Sequence, residues 1–430
     1  MKKYFKSVIR KTTKYVLGYD PKQTWSRYTR DALRLANRFD CLPEQLLEQQ
    51  QHPERIAVNV KDRTCNWYLP PFLNPFYGGI MTILRLADYL QRCHGIKQRI
   101  LVCGRNLQSE EIKTNIAKAF PALSRAEVIV LSMPISFSDI PSADYSIATL
   151  WTTAYIVLGV KNTGYKFYMI QDFEPAFYPA GSTYAQAELS YHFGFYGIAN
   201  TQSLKEIYER DYYGCAVVLR PSIDKTVFYP GTEEKTTSIK RLFYYARPEA
   251  PRNGFELAVT ALRLLKEKYG NSIDIVCAGA DLNPADYGLK NIIRSVGMLP
   301  YAATGDLYRS SHVGLALMMT KHPSYLPLEL MACGAVVVTN FNPANLWLLK
   351  NGENCLLSAP TASCLMDKLS YALEHYEQLA PLRRRASTQI LADSGDWDTS
   401  LREVAGFILE PPAKFSKSDQ IHSLYRSLPL

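Results

Sequence analysis

At 430 residues the chain is too long for a single hydrophobic core and is expected to form two or three domains. A hydrophobic fraction of 47% excludes a largely disordered chain. The net charge of +9 is confined to residues 1–38, where eleven basic residues face only Asp20 and Asp31, so the remaining body is neutral. That balance argues against nucleic acid as a partner, because a nucleic-acid-binding domain carries its positive patch on the fold itself.

In chain order, residues 1–50 read as a basic helical arm. Tyr4, Phe5, Val8, Ile9, Tyr15, Val16 and Leu17 are interspersed among its lysines and arginines. Such a segment suits a helix lying on an anionic membrane surface. It equally suits a solvated helix packed on the body, and both readings stand. No apolar core of a signal peptide follows the first lysines, and the longest apolar stretch, 146–160, is shorter than a spanning helix needs. That stretch reads as a buried strand followed by a helix. The expectation is a cytoplasmic protein, with peripheral contact at the inner membrane face through residues 1–38. Nine cysteines are scattered without a C-x-x-C pair, mostly in apolar surroundings, which reads as buried free thiols in a reducing compartment.

Residues 51–222 form the first expected domain. A strand is predicted over 55–60, then a loop rich in Pro70, Pro71, Pro75, Gly78 and Gly79. Ile83, Leu84, Leu86, Ala87 and Leu90 recur at helical spacing over 80–91. Strands at 99–103, 127–131, 166–170 and 197–200 alternate with helices near 109–120 and 202–212, which implies a parallel sheet covered on both faces. Residues 223–238 are polar, with Pro and Gly, and read as a linker. The alternation restarts over 239–385 with strands at 241–246, 272–278, 312–317 and 335–339 and an amphipathic helix over 254–269. Residues 386–430 read as C-terminal helices packing partly back on the first domain. The fold class is α/β: two doubly wound, Rossmann-like domains facing across a cleft at the carboxyl ends of their strands.

Four segments carry chemistry. Gly78 and Gly79 open a helix after a loop, where backbone amides approach a phosphate or an acceptor; a tight turn explains them equally. Arg247 and Arg252 share a loop with Asn253 and Gly254 after a strand, and two planar guanidinium forks there suit a diphosphate. Glu329 opens an otherwise apolar helix, where a carboxylate suits the two hydroxyls of a ribose or simply complements the helix start. Asp172 and Glu174 follow the strand 166–170 and so face the cleft, as acceptor-binding or proton-accepting groups or as turn caps. His192 beside Tyr191 reads as packed. Asp396 and Asp398 read as a helix cap rather than a metal site, and no His/Cys/Asp cluster has zinc spacing, so no metal and no cofactor are expected.

Taken together, residues 55–405 resemble glycosyltransferases of the two-domain GT-B fold, nearest glycosyltransferase family 4. Arg247, Arg252, Asn253 and Gly254 stand where that family has its phosphate clamp, with Arg252 in place of a lysine. The run from Pro327 through Glu329 to Gly334 is similar to the second half of the family's E-x7-E motif, whose last Glu binds ribose. Val296, Gly297 and Met298 resemble the loop facing the base, and the stretch from Val218 to Pro230 resembles the family's linker. The first Glu of E-x7-E would fall at 321, where this chain has Lys321; the resemblance therefore implies a lysine able to neutralise the leaving diphosphate. The His322, Pro323, Ser324, Tyr325 segment, with Gln171, Asp172, Phe173 and Glu174, is similar to bacterial rhamnosyltransferases of surface polysaccharide assembly that use dTDP-rhamnose.

The resemblance implies a metal-independent glycosyltransferase with Asp172, Glu174 and Lys321 as catalytic groups. The donor, dTDP-L-rhamnose, would be held by Arg247, Arg252, Asn253, Gly254, Gly297, Ser324, Tyr325 and Glu329, with Gly78 and Gly79 on the acceptor or phosphate loop. The acceptor would be a glycan or a lipid-linked glycan. The rival from another class is a non-catalytic nucleotide-sugar-binding scaffold in a polysaccharide-assembly complex, favoured by the missing first Glu; an epimerase of the same fold is the other enzymatic alternative.

Overall fold

The computed structural model describes residues 26–51, 61–76, 78–104, 107–231, 237–394 and 396–413. Helices α1 (Arg27–Arg38) and α2 (Pro43–Gln51) precede a seven-stranded sheet made of β1 (Thr64–Leu69), β2 (Lys97–Cys103), β3 (Glu127–Leu131), β4 (Ala143–Ala148), β5 (Thr163–Ile170), β6 (Tyr196–Ala199) and β7 (Cys215–Val218). All pairings are parallel, in the order β3-β2-β1-β4-β5-β6-β7. Helices α3 (Gly78–His94), α4 (Ser109–Ala119), α5 (Trp151–Gly159), α6 (Ser182–Leu189) and α7 (Gln202–Tyr212) connect them. The second sheet runs β10-β9-β8-β11-β12-β13, again parallel, from β8 (Lys240–Tyr245), β9 (Ile273–Ala278), β10 (Arg294–Ser295), β11 (Val313–Leu315), β12 (Val336–Asn340) and β13 (Leu356–Ser358). Around it lie α8 (Phe255–Tyr269), α9 (Tyr301–Ser310), α10 (Leu326–Ala332), α11 (Ala362–Glu374) and α12 (Ala380–Asp393), before α13 (Trp397–Leu409) closes the described chain.

Local chemistry explains the elements. In α8 the buried residues Phe255, Ala258, Val259, Ala261, Leu262 and Leu265 recur every three or four positions, while Gly254 and Gly270 bound the helix in left-handed conformations. Helix α7 begins where the Thr201 side chain accepts from the Leu204 N–H. Strand β1 lies at the centre of the first sheet but has no clean apolar alternation. Its Asn66 is buried and donates to the Pro141 carbonyl at 2.8 Å, and Thr64 N–H donates to Asp144 Oδ2 at 2.7 Å. Those long-range partners make polar residues tolerable in a central strand, and they are invisible to periodicity. The strand expected over 55–60, and the membrane-facing segment of the arm before residue 26, lie outside the described residues.

Helix α5 is buried over nearly its whole length, from Trp151 to Leu158. Its ends are closed by ionisable side chains supplied from β5 and the turn beyond it: Glu174 Oε2 accepts from Trp151 N–H, and Lys166 Nζ donates to the Leu158 carbonyl. An acceptor at the amino end and a cation at the carboxyl end answer the helix's open backbone groups.

The two domains are joined by more than a polar linker. Ile223 and Phe228 are buried in the second domain's core, with Phe228 packed between Tyr301 and Tyr308. Arg85 reaches Asp224 at 3.7 Å and lies over the Trp397 ring. Helix α13 returns to the first domain, where Leu401, Val404, Ala405 and Ile408 join the core beneath β1, β4 and β5. Asp396 caps that helix by accepting from Asp398 N–H. The nine cysteines are free thiols, five of them buried, and among the described residues no helix is long and apolar enough to cross a membrane.

Because α13 fills the first domain's core from the far end of the chain, Ile408→Ala is expected to cost about 2–5 kcal/mol. Denaturant unfolding followed by tryptophan fluorescence checks it; an unchanged midpoint would show that the returning helix adds little to the core.

Candidate functional site

The carboxyl ends of the two sheets face each other, and the loops leaving them enclose a cavity of about 250 Å³. From the first domain, β4 delivers Thr149 and Leu150, β5 delivers Gln171, Asp172 and Glu174, and β6 delivers Asn200. Gly78 and Gly79, at the start of α3, complete that side. A side chain at Gly79 would press on the Gln171 amide at 3.4 Å, so the glycine lets the helix start approach. From the second domain, the loop after β8 supplies Arg247, Arg252 and Asn253, and the segment after β11 supplies Met318, His322, Ser324 and Tyr325.

Charge is concentrated here and largely withdrawn from water. Asp172 is 7% exposed and Glu174 2%. Burial pushes the Asp172 carboxyl up to about 6, opposed by donors on it: the Thr320 hydroxyl at 2.6 Å, the Phe173 N–H at 2.7 Å and the Lys321 backbone N–H. Burial pushes Glu174 further, to about 8, against the opposing bonds from the Trp151 N–H and the Tyr168 hydroxyl, and neighbouring Asp172 adds a smaller like-charge effect. Arg252 faces both carboxyls. Burial lowers its pKa, Asp172 and Glu174 raise it, and like-charged Arg247 lowers it again. Its guanidinium stacks on Phe177 of the opposite domain with 4.6 Å to the ring centroid. Two cations are thus held side by side at one edge of a cavity whose far edge is carboxylic.

The segment between β11 and α10 also fastens the domains together. Thr320 and the Lys321 N–H hold Asp172 of the opposite domain. The Tyr325 hydroxyl donates to Asn200 Oδ1 at 3.2 Å and accepts from Thr82 Oγ1 at 3.2 Å. His322 is buried, and desolvation lowers its pKa to about 4, so the ring is neutral. Its Nδ1 accepts from Ser324 N–H at 3.0 Å, which places the proton on Nε2; that nitrogen lies 3.3 Å from Asn200 Nδ2, also a donor, so the two side chains are packed neighbours rather than a hydrogen-bonded pair. That same N–H bond holds Ser324 at φ +67°, a left-handed conformation costing a non-glycine residue roughly 1–2 kcal/mol.

Of the residues singled out in the sequence, Gly78, Gly79, Asp172, Glu174, Arg247, Arg252, Asn253, Ser324 and Tyr325 meet in this cavity. Lys321 does not: its side chain is exposed and outside the lining, and the residue takes part only through its backbone N–H. The chain bends over 320–322, leaving Lys321 exposed between the buried Thr320 and His322. Gly254 and Gly297 also stand outside the cavity. Gly254 is the left-handed cap of α8, packed under Met319, and Gly297 is a left-handed turn whose N–H donates to Ser295 Oγ. Glu329 lies in the first turn of α10, beyond the cavity; burial alone pushes its carboxyl up to about 8, with no hydrogen bond or cation to oppose it. Asn200, Thr320 and His322 are site residues that sequence reasoning missed. For Asn200 a signal existed, since it ends the parallel strand predicted over 197–200. His192 is packed against Tyr212 as expected. Among the described residues no group of three His, Cys, Asp or Glu side chains is arranged to hold a metal ion.

Comparisons with known proteins agree with this geometry. The O-antigen biosynthesis protein RfbC of Myxococcus xanthus is 38% identical over 393 residues, covering 90% of this chain; the chain spans only 30% of that protein's length. HepE of Anabaena, solved with UDP and glucose, superposes over 81% of this chain and 99% of its own, with a TM-score of 0.62 at 15% identity. TarM of S. aureus, solved with UDP, Fondaparinux and alpha-GlcNAc-glycerol, superposes over 81% of this chain and 100% of its own, with a TM-score of 0.63 at 8% identity. Residues 71–203 match the N-terminal domain of WsaF and residues 240–370 its C-terminal domain, in that order. The chain belongs to the WsaF family, and its two facing parallel sheets have the GT-B fold.

Proposed function

We propose that the chain is a metal-independent glycosyltransferase that moves a sugar from a nucleoside diphosphate donor onto a glycan in cell-surface polysaccharide assembly, with dTDP-L-rhamnose as the donor. The observation that carries this reading is the pairing of Arg247 with Arg252 on the loop after β8, facing Asp172, Glu174 and Asn200 across the cavity. Two fixed guanidinium groups in a water-poor cleft stabilise the diphosphate as negative charge develops on it in the transition state. HepE and TarM support the donor class, since both were solved with UDP, and RfbC supports the assembly context by its name. The rhamnosyl donor rests on the resemblance of the His322–Tyr325 and Gln171–Glu174 segments to dTDP-rhamnose-dependent enzymes.

In this reading Glu329 takes the ribose. Its half-buried carboxyl has no side-chain hydrogen-bond partner among the described residues, and two ribose hydroxyls would bond to it. Asp172 and Glu174 lie on the acceptor side. Glu174, near 8, is poised close to neutrality for proton transfer, whereas Asp172 also holds the two domains together. The binding-only scaffold is set apart by turnover, because it releases no nucleotide.

Nucleotide release from dTDP-rhamnose in EDTA is the experiment that tests the proposal. Release by the wild-type chain, accelerated by acceptor, is expected, whereas no release with any nucleotide sugar would leave the scaffold reading. Arg252→Ala is expected to lower turnover by about 10²-fold. Lys321→Ala, exposed and outside the cavity, should stay within about twofold of wild type. The reverse ranking would restore the lysine to the site. Since hydroxyls bond better to a carboxylate than to its acid, nucleotide affinity should rise as pH increases from 6 through the raised pKa of Glu329, and Glu329→Gln should flatten that slope. An unchanged slope in titration calorimetry would remove the ribose assignment.

A further inference from the structure

A second groove, of about 560 Å³, opens on the first domain at the carboxyl ends of β1, β2 and β3. Pro70 and Pro71 follow β1, and Gly104 follows β2. Arg38 and Phe39, at the end of α1, form the outer wall. Thr152, in the first turn of α5, closes the side towards the catalytic cavity. The strand order reverses its winding between β1 and β4, and open parallel sheets bind ligands at such a reversal. The groove occupies one side of that point and the catalytic cavity the other.

The two spaces share a floor. Thr149 and Leu150 line the cavity, and Thr152, within the same turn, lines the groove. Thr149 Oγ1 donates to the Tyr68 carbonyl at 2.8 Å, tying β4 to β1 where the spaces meet. Phe39 packs edge-on against Trp151 at 5.5 Å, and the Trp151 N–H holds Glu174. The stretch 149–152 thus lines both spaces, so a saccharide bound in the groove would lie next to the cavity.

The groove's own chemistry says which sugars. Arg38 is exposed, its guanidinium 5.4 Å from the Phe39 ring centroid, and no carboxylate among the described residues pairs with it. The wall beside it is bare backbone: a Cβ on Gly104 would meet Pro71 Cγ at 2.8 Å and approach Arg38 Nη2 to 3.9 Å. The exposed Pro71 offers an apolar face to the C–H face of a sugar ring, while the guanidinium fork offers two parallel N–H bonds to an oxyanion. Helix α1, which ends at Arg38, also carries Arg27, Arg30 and Arg34 against Asp31 alone, and adds attraction of the same sign.

Building on the transferase reading, we propose that the groove is an acceptor subsite for a saccharide bearing an oxyanion, a carboxylate or a phosphate ester, recognised by Arg38. Galactose, galacturonic acid and galactose 6-phosphate are the probes, titrated against the full chain by saturation-transfer NMR. Both anionic sugars, or one of them, should bind more tightly than galactose; the one preferred identifies carboxylate or phosphate as the source. Arg38→Glu should weaken that binding by about tenfold while leaving the melting temperature and dTDP affinity unchanged. Equal binding of the neutral and anionic sugars, no binding of any, or anion binding unaffected by Arg38→Glu would overturn the proposal. Binding requires no turnover, so a chain that binds these sugars but releases no nucleotide from a donor would fail the transferase reading alone.

Discussion

A carboxylate withdrawn from water must find donors, and Asp172 finds two of its three across a domain boundary. The Thr320 hydroxyl and the Lys321 N–H belong to the second domain, so the first domain's most charged turn is satisfied only when the two sheets face each other as they do here. Tyr325, from the same short segment after β11, bridges to Asn200 and Thr82 as well. This loop therefore contributes much of what sets the spacing of the cleft, together with Ser203 donating to the Ala344 carbonyl and Arg252 stacking on Phe177.

The same economy appears one layer deeper. Glu174 sits two residues beyond Asp172 and holds the amino end of α5, while Lys166 from the preceding strand holds its carboxyl end. An apolar helix can be buried so completely only because both of its open ends are answered. The consequence for the site is that Glu174 is positioned by helix capping, and the burial that capping requires is what lifts its carboxyl towards 8.

Much of this was legible in the sequence, for identifiable reasons. Strand β3 and helix α7 run over the expected residues, because an apolar five-residue strand and a Thr-capped helix declare themselves locally. Arg247, Arg252 and Asp172 were legible because residues just after parallel strands face the cleft. Strand β1 was missed because Thr64 and Asn66 owe their place to partners about eighty positions away. Lys321 was assigned to the site by motif spacing alone, yet the backbone turns it outward and His322 inward, a one-residue difference that spacing cannot resolve. Phe228 was read as part of a polar linker because its neighbours are polar, although its ring lies between Tyr301 and Tyr308.

The central claim is that Arg247 and Arg252 hold the diphosphate of a nucleotide donor. The most direct test is the melting temperature of the full chain with dTDP, UDP, GDP and ADP in EDTA, in wild type and in the Arg247→Ala, Arg252→Ala double variant. A ligand at about 100 times its dissociation constant adds roughly 2.7 kcal/mol to the folded state, an easily measured shift. The account predicts a shift with dTDP in wild type that disappears in the double variant. No shift with any nucleotide, or a shift undiminished in the variant, would contradict it.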